Sequence, residues 1–151
     1  MKDGDRDLVW VDLQKAAAFL DSELSMRLTE RVGMSSSEFQ VLWYLANAVD
    51  RSLTMSEAAA RLSMSPSGMT RLADRIVRRG WVERRTDAAN RRIAIVTLTD
   101  AGVAAARDGY LVAREARREL VDARLTDDDV HSLGKIAGKL LGRIGITDVS
   151  S

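Results

Sequence analysis

Between positions 8 and 30, apolar side chains recur at Val9, Leu13, Ala16, Ala17, Leu20, Leu24 and Leu28. Steps of three and four predict a long amphipathic helix, which Gly33 ends. The stretch "MSSSEFQVLWYLANAV" (34–49) sets Ser35 and Glu38 at capping-box spacing ahead of Phe39, Leu42, Trp43, Leu45, Ala46 and Val49, the pattern of a second, deeply buried helix. "LTMSEAAARL" repeats the device with Thr54 and Glu57, giving a short third helix to about Leu62, and "SMS" reads as a tight turn. The one proline of the chain, Pro66, follows Ser65 and precedes apolar Met69, Leu72, Ala73 and Ile76. Proline suits the first helical position, where its missing N–H would be unpaired anyway, and Ser65 caps the amides behind it. Gly80 closes that helix. Beyond it, "WVERR" and "RRIAIVTL" are rich in β-branched residues and flank the exposed-turn sequence "TDAAN", a two-stranded ribbon with a charged tip. Thr99 then caps a long helix through roughly Val121, and Thr126 with Asp129 opens a last helix ending near Ile146, before a frayed "TDVSS". With no internal repeat, low-complexity tract or linker, the expectation is one folding unit, mainly α with a small β-hairpin.

Composition narrows the function. At 151 residues, 46% hydrophobic and 30% charged, the chain has the make-up of one globular domain with a real core. No apolar run approaches the roughly 18 residues of a spanning helix, and "MKDGDRDLVW" carries mixed charge. No membrane association is expected, and the cytoplasm is the default location. Zero cysteines exclude a disulfide framework, a thiolate metal site and thiol-based sensing. The lone histidine, His131, has no second histidine or cysteine to share an ion, so no metal and no cofactor are expected. An enzyme is a poor reading for the same reason: nucleophilic and acid–base chemistry need positioned partners. Glycines fall at helix ends or in the last helix, away from any phosphate-cradling loop. The net charge of +1 hides an asymmetry, because Met55 to Arg92 holds nine arginines against four acids, +5, leaving −4 elsewhere. A basic middle between acidic flanks suggests a nucleic-acid surface on a scaffold that does not touch it.

Two short helices joined by a tight turn, followed by a ribbon, describe a winged helix-turn-helix. At 100° per residue Met69, Leu72, Ala73 and Ile76 converge on one side, and Ser67, Thr70, Arg71, Asp74 and Arg78 lie opposite. Such a face fits a major groove, where arginine bonds guanine bidentately and serine or threonine reaches bases or phosphates. Ser65, Ser67 and Gly68, at the helix start, are positioned to anchor a phosphate. Taken alone, 64–81 reads as a capped, solvated surface helix; the neighbouring helix, turn and arginine-tipped ribbon favour the DNA reading. RNA is disfavoured because no aromatic platform accompanies the arginines.

The run "LTMSEAAARLSMSPSGMTRLADRIVRRGWVERRTDAANRRIAIVTLTDAG" (53–102) resembles the winged helix-turn-helix of the MarR family of bacterial transcriptional regulators. "SPSGMTRLADRI", "RGWVERR", "NRR" and "LTDAG" occur in that family's order and spacing, and the leading and closing helices fall where it places its dimerisation helices. The resemblance implies a single domain over 1–151, with the winged helix-turn-helix at about 53–99 and dimerisation helices at about 8–30 and 100–146. It implies that the helix from Ser65 to Arg79 is the recognition helix. Thr70, Arg71 and Arg75 then stand at DNA-facing positions, with Arg91 and Arg92 at a wing tip that enters the minor groove. Taken alone, the two wing arginines read as solvated turn charges. Two departures stand out. Asn90 occupies the place of a usual second aspartate, leaving Asp87 alone to orient the wing arginines, and "EAAAR" replaces a leucine-bearing entry helix, predicting looser packing.

One module contacts too little DNA for selectivity, so a homodimer over a palindromic double-stranded operator is expected. Gly134, Gly138 and Gly142 form a stripe along the last helix. Either another helix approaches closely there, or the glycines simply weaken the helix at roughly 1 kcal/mol each. The resemblance further implies a small aromatic or anionic effector between the dimerisation helices and the DNA-binding lobe, in a region lined by Trp10, Phe19, Trp43 and Tyr44. Their own spacing assigns these four aromatics to the buried core. The reading is a sequence-specific DNA-binding regulator, a homodimeric repressor relieved by a small molecule; the rival is a winged-helix protein-interaction module that does not bind DNA.

Overall fold

A computed structural model describes residues 3–142. The chain divides after Arg114 into two compact units. In the first, helix α1 (Asp3–Val32) leads to α2 (Ser36–Ala46), strand β1 (Ser52–Thr54), α3 (Met55–Arg61), α4 (Pro66–Arg78) and strands β2 (Val82–Thr86) and β3 (Ala94–Leu98). Helix α5 (Asp100–Arg117) carries the chain across the division, and the second unit continues through a π-helical turn (Arg118–Asp122) to α6 (Asp127–Leu140).

The capping boxes form as their spacing predicts. The side chains of Ser35, Thr54 and Thr126 each accept the amide of the residue three positions on, and Glu38, Glu57 and Asp129 each reach back to the cap's own amide. The two carboxylates of α3 and α6 are held below their ordinary ranges by those hydrogen bonds: Glu57 by the backbone and hydroxyl of Thr54, Asp129 by the hydroxyl and backbone of Thr126.

The core of the first unit is built by Leu28, Met34, Phe39, Leu42, Leu45, Met69, Leu72, Ile76, Val96 and their neighbours. Helix α2 is its centre, as its apolar density predicts. It stops at Ala46, however, and Val49 lies outside it, exposed.

Three further departures have physical causes. The sheet has three strands rather than two, in the order β1-β3-β2, both pairings antiparallel. The third strand is only three residues long and bears one apolar side chain, Leu53, opposite Val96; so short a run carries no alternation to detect. The last helix ends at Leu140 instead of near Ile146, and Gly142 stands beyond it with φ +66°. Of the glycine stripe, only Gly134 and Gly138 are therefore helical, and positions 143–151, including "TDVSS", lie outside the described residues. Two glycines also sit inside α5, against the expectation. A Cβ on Gly102 would collide with the Trp81 carbonyl, and one on Gly109 would come within 2.7 Å of the Phe39 ring. They let α5 approach β2's entry and α2 closely.

Helix α1 is longer than predicted and mostly uncovered. Leu28 is its buried residue, whereas Leu8, Val9, Trp10, Leu13, Phe19 and Met26 are exposed. Trp10 and Phe19 are thus not core residues, contrary to their spacing. Trp43 and Tyr44 do pack against the core, in edge-to-face contact at 5.8 Å. In the second unit α6 likewise exposes Val130, Leu133, Ile136 and Leu140. Among the described residues, no helix is long and apolar enough to cross a membrane.

Candidate nucleic-acid interface

Helix α4 begins as its sequence dictates. Ser65 is the N-cap, its hydroxyl accepting the Gly68 amide at 3.1 Å, with Pro66 in the first turn. Met69, Leu72, Ala73 and Ile76 are buried, which turns Ser67, Arg71, Asp74 and Arg78 to solvent. The helix is aimed by the turn before it. Ser63 takes a left-handed φ of +52°, and the amide of Met64 bonds the Ala59 carbonyl at 2.9 Å, closing α3 in a Schellman turn where glycine is usual. At its other end Gly80, with φ +71°, lets the Trp81 amide reach Ile76. Thr99 joins this end to α5: its hydroxyl donates to the Gly80 carbonyl at 2.7 Å and accepts the Gly102 amide.

The arginines sort into two groups. Arg71, Arg78, Arg91 and Arg92 are exposed, and among the described residues none makes an ion pair. Arg75 and Arg79, by contrast, are committed within the unit. Both pair with Glu38, Arg75 through Nε at 2.9 Å and Arg79 through Nη1 at 3.2 Å. Arg79 also donates Nη2 to the Gly33 carbonyl at 2.8 Å and lies 3.7 Å from the centre of the Trp81 ring, a cation–π arrangement. Glu38, only 3% exposed, is the one buried charged residue described. Burial pushes its carboxyl up, but the Ser35 amide, the Arg75 guanidinium, the Ser35 hydroxyl and the charge of Arg79 outweigh it, and the net shift is downward. Asp74, expected on the outward face, pairs there with Arg84 of β2 at 3.4 Å and so braces helix against wing.

At the wing tip the geometry revises the role of Asp87. Its Oδ1 accepts the amides of Ala89 at 2.7 Å and Asn90 at 2.8 Å, so it shapes the turn rather than touching the arginines. Nor does it act alone, because Asn90 Oδ1 accepts the Arg92 amide at 3.1 Å. Arg91 and Arg92 belong to this turn, not to β3, which starts at Ala94. Ser65 and Gly68 spend a hydrogen bond on each other. Thr70 spends its hydroxyl on the Pro66 carbonyl at 3.0 Å, and the hydroxyl of the exposed Ser67 lies 3.3 Å from that of Ser65.

Of the three alanines in "EAAAR", Ala58 and Ala59 are buried in the core and Ala60 is exposed. A cleft of about 630 Å³ opens between helix and wing, with Ala59, Ala60, Met64, Thr70, Arg84 and Arg92 on its walls. None of Trp10, Phe19, Trp43 or Tyr44 lines it.

A basic helix, capped by serine and proline and braced to an arginine-tipped three-stranded wing, is also what the comparisons with known proteins return. The MarR family model matches residues 32–93. The multiple antibiotic resistance protein MarR of Escherichia coli (strain K12) is 32% identical over 109 residues, 72% of this chain and 74% of that protein. The chain belongs to the MarR family. The transcriptional repressor MprA of the same organism is 29% identical over 78% of this chain, which spans 66% of that repressor's length. Among solved structures, Sco3205 of Streptomyces coelicolor, a MarR family transcriptional regulator in complex with DNA, superposes with a TM-score of 0.87 at 28% identity, covering 97% of this chain and 92% of its own.

Sequence reasoning missed Glu38 as more than a cap, and missed Arg79 and Arg84 as braces. A signal existed. Arg75 and Arg79 are four apart on one flank of α4, the spacing that lets two cations share one acid; the capping box had already accounted for Glu38.

Proposed function

We propose that this MarR-family chain, a DNA-binding transcriptional regulator and not an enzyme, is a homodimeric repressor that seats α4 in successive major grooves of a palindromic operator. A small aromatic or anionic effector relieves it. In this reading the chain is one domain, with the winged helix-turn-helix at about 53–99 between dimerisation helices at about 8–30 and 100–146. Arg71, Arg78 and Ser67 face the major groove. Arg91 and Arg92 enter the minor groove from the wing, on a turn set by Asp87 and Asn90, and Arg75 contacts backbone beside them.

The observation that carries the reading is the unpaired arginine set. Arg71 and Arg78 on α4 and Arg91 and Arg92 on the wing have no acid among the described residues, while Arg75, Arg79 and Arg84 beside them do. Cations left uncompensated on one module, next to others that are braced, match a polyanion that brings its own negative charge. The DNA complex of the Sco3205 regulator and the repressor roles named for MprA and its relatives support it. The test is anisotropy with random duplex DNA across a salt series. Binding should be measurable at low salt and fall steeply as salt rises; no binding at the lowest salt ends the proposal. For the effector, aromatic carboxylates should quench tryptophan fluorescence and release the duplex at the same concentrations.

A further inference from the structure

The chemistry at Glu38 goes further than a capping box requires. One nearly buried carboxylate takes the Ser35 amide at 2.8 Å, Arg75 at 2.9 Å and Arg79 at 3.2 Å. It thereby ties the start of α2 to two successive turns of α4. Removing any carboxylate from water is costly, and such a cluster is weak evidence of stabilisation by itself; what it does supply is a fixed geometry. The two arginines it holds differ. Arg79 is used up, with both terminal nitrogens bonded and its plane over Trp81. Arg75 is held by Nε alone, and its side chain is 48% exposed. At 100° per residue it stands on the flank of α4, between the buried face and the outward face of Arg71 and Arg78. Its two terminal amino groups carry no other hydrogen bond to the described residues.

We propose that Glu38 is a positioning residue for operator recognition: it fixes the rotation of α4 and locks Arg75 by its Nε, so that the terminal amino groups of Arg75 form a pre-aimed phosphate clamp. Clamping one phosphate at a set distance from the groove face fixes the register in which Arg71 and Arg78 meet the bases, and register is what phosphate contacts contribute to selectivity. The idea rests on the DNA-binding reading above and adds to it a residue that does not touch DNA.

The experiment uses the full chain and two probes: a duplex enriched from a random pool by the native protein, and a scrambled duplex of the same composition. Affinities for both are measured by anisotropy over a salt series. In Glu38→Gln one oxygen can no longer serve the Ser35 amide and the arginines together, while the face gains one positive charge. The enriched duplex should lose about tenfold or more in affinity, the scrambled duplex should hold or gain at low salt, and discrimination should collapse. A merely structural loss lowers the folded fraction and weakens both probes by the same factor, which would overturn the proposal. Combined with Arg75→Ala, Glu38→Gln should cost little further discrimination; effects that multiply independently would also overturn it. Arg75→Lys guards against a variant that fails to fold, since it keeps the charge at a half-exposed position but has no Nε to lock. It should keep the native salt slope and lose discrimination, and native discrimination in this variant refutes the idea. If the native protein binds neither duplex, the DNA reading itself falls; if it binds and discriminates while the variants match it, only the role of Glu38 does.

Discussion

An exposed arginine is informative only once its partners are known. Arg79 and Arg91 look alike in the sequence, yet one is bonded to Glu38 and Gly33 and stacked on Trp81 while the other is unpaired at the wing tip. Arg91→Ala should weaken binding to all duplexes by a similar factor and flatten the salt slope by about one unit, because a sequence-independent contact is lost. An unchanged titration would remove the wing from the interface. Glu38 sets a pH dependence whose sign follows from its lowered pKa. The unfolded chain binds the proton more readily than the folded one, so the ionised carboxylate stabilises above the ordinary glutamate value of 4.5, and that gain is lost as pH falls through the lower folded value. Thermal melts of native protein and Glu38→Gln should therefore differ most near neutral pH and converge in acid; a constant gap would contradict the assignment.

Among the elements, capped helix starts were the most legible feature and close approaches the least. Ser35, Thr54, Ser65 and Thr126 cap where spacing put them, since a cap is a contact between residues three apart. Gly102 and Gly109 could not be read this way, because the atoms that demand them belong to Trp81 and Phe39, distant in sequence. Gly109→Ala should destabilise by about 1–3 kcal/mol through overpacking against the Phe39 ring. Gly102→Ala should cost more, the obstacle there being backbone; calorimetry on both variants ranks them. Ser63 offers the opposite case. Its left-handed φ of +52° costs a side-chain-bearing residue roughly 1 kcal/mol, so Ser63→Gly should raise the melting temperature while leaving duplex affinity intact. A lower melting temperature would mean the serine contributes something its geometry does not reveal.

For the whole molecule, the telling feature is apolar surface left open. Helix α1 exposes Trp10 at 57% and Phe19 at 48%, and α6, in its own unit, exposes Leu133 and Ile136 at 54% each. Large apolar side chains left open in this number point to an interaction surface, and the proposed reading over paired half-sites makes a second copy of the chain the expected occupant. Sedimentation should find a dimer in the native protein. Trp10→Glu with Phe19→Glu should shift it toward monomer and weaken the enriched duplex far more than the scrambled one, since only the former rewards two modules at once. A variant that stays dimeric with native affinity would place the interface elsewhere.

What the sequence by itself determined is what short-range chemistry can express: capped helices in their order, the proline-started basic helix, the charged ribbon, and through them the family. Tertiary structure decided what depends on residues far apart meeting. It tied Arg75 by its Nε to the buried Glu38 and recruited Ser52–Thr54 as a third strand through its pairing with Ile95–Thr97. It also left Trp10 and Phe19 in solvent although their periodicity resembles that of a core. Periodicity reports that a face is apolar; only the fold reports whether this chain covers it.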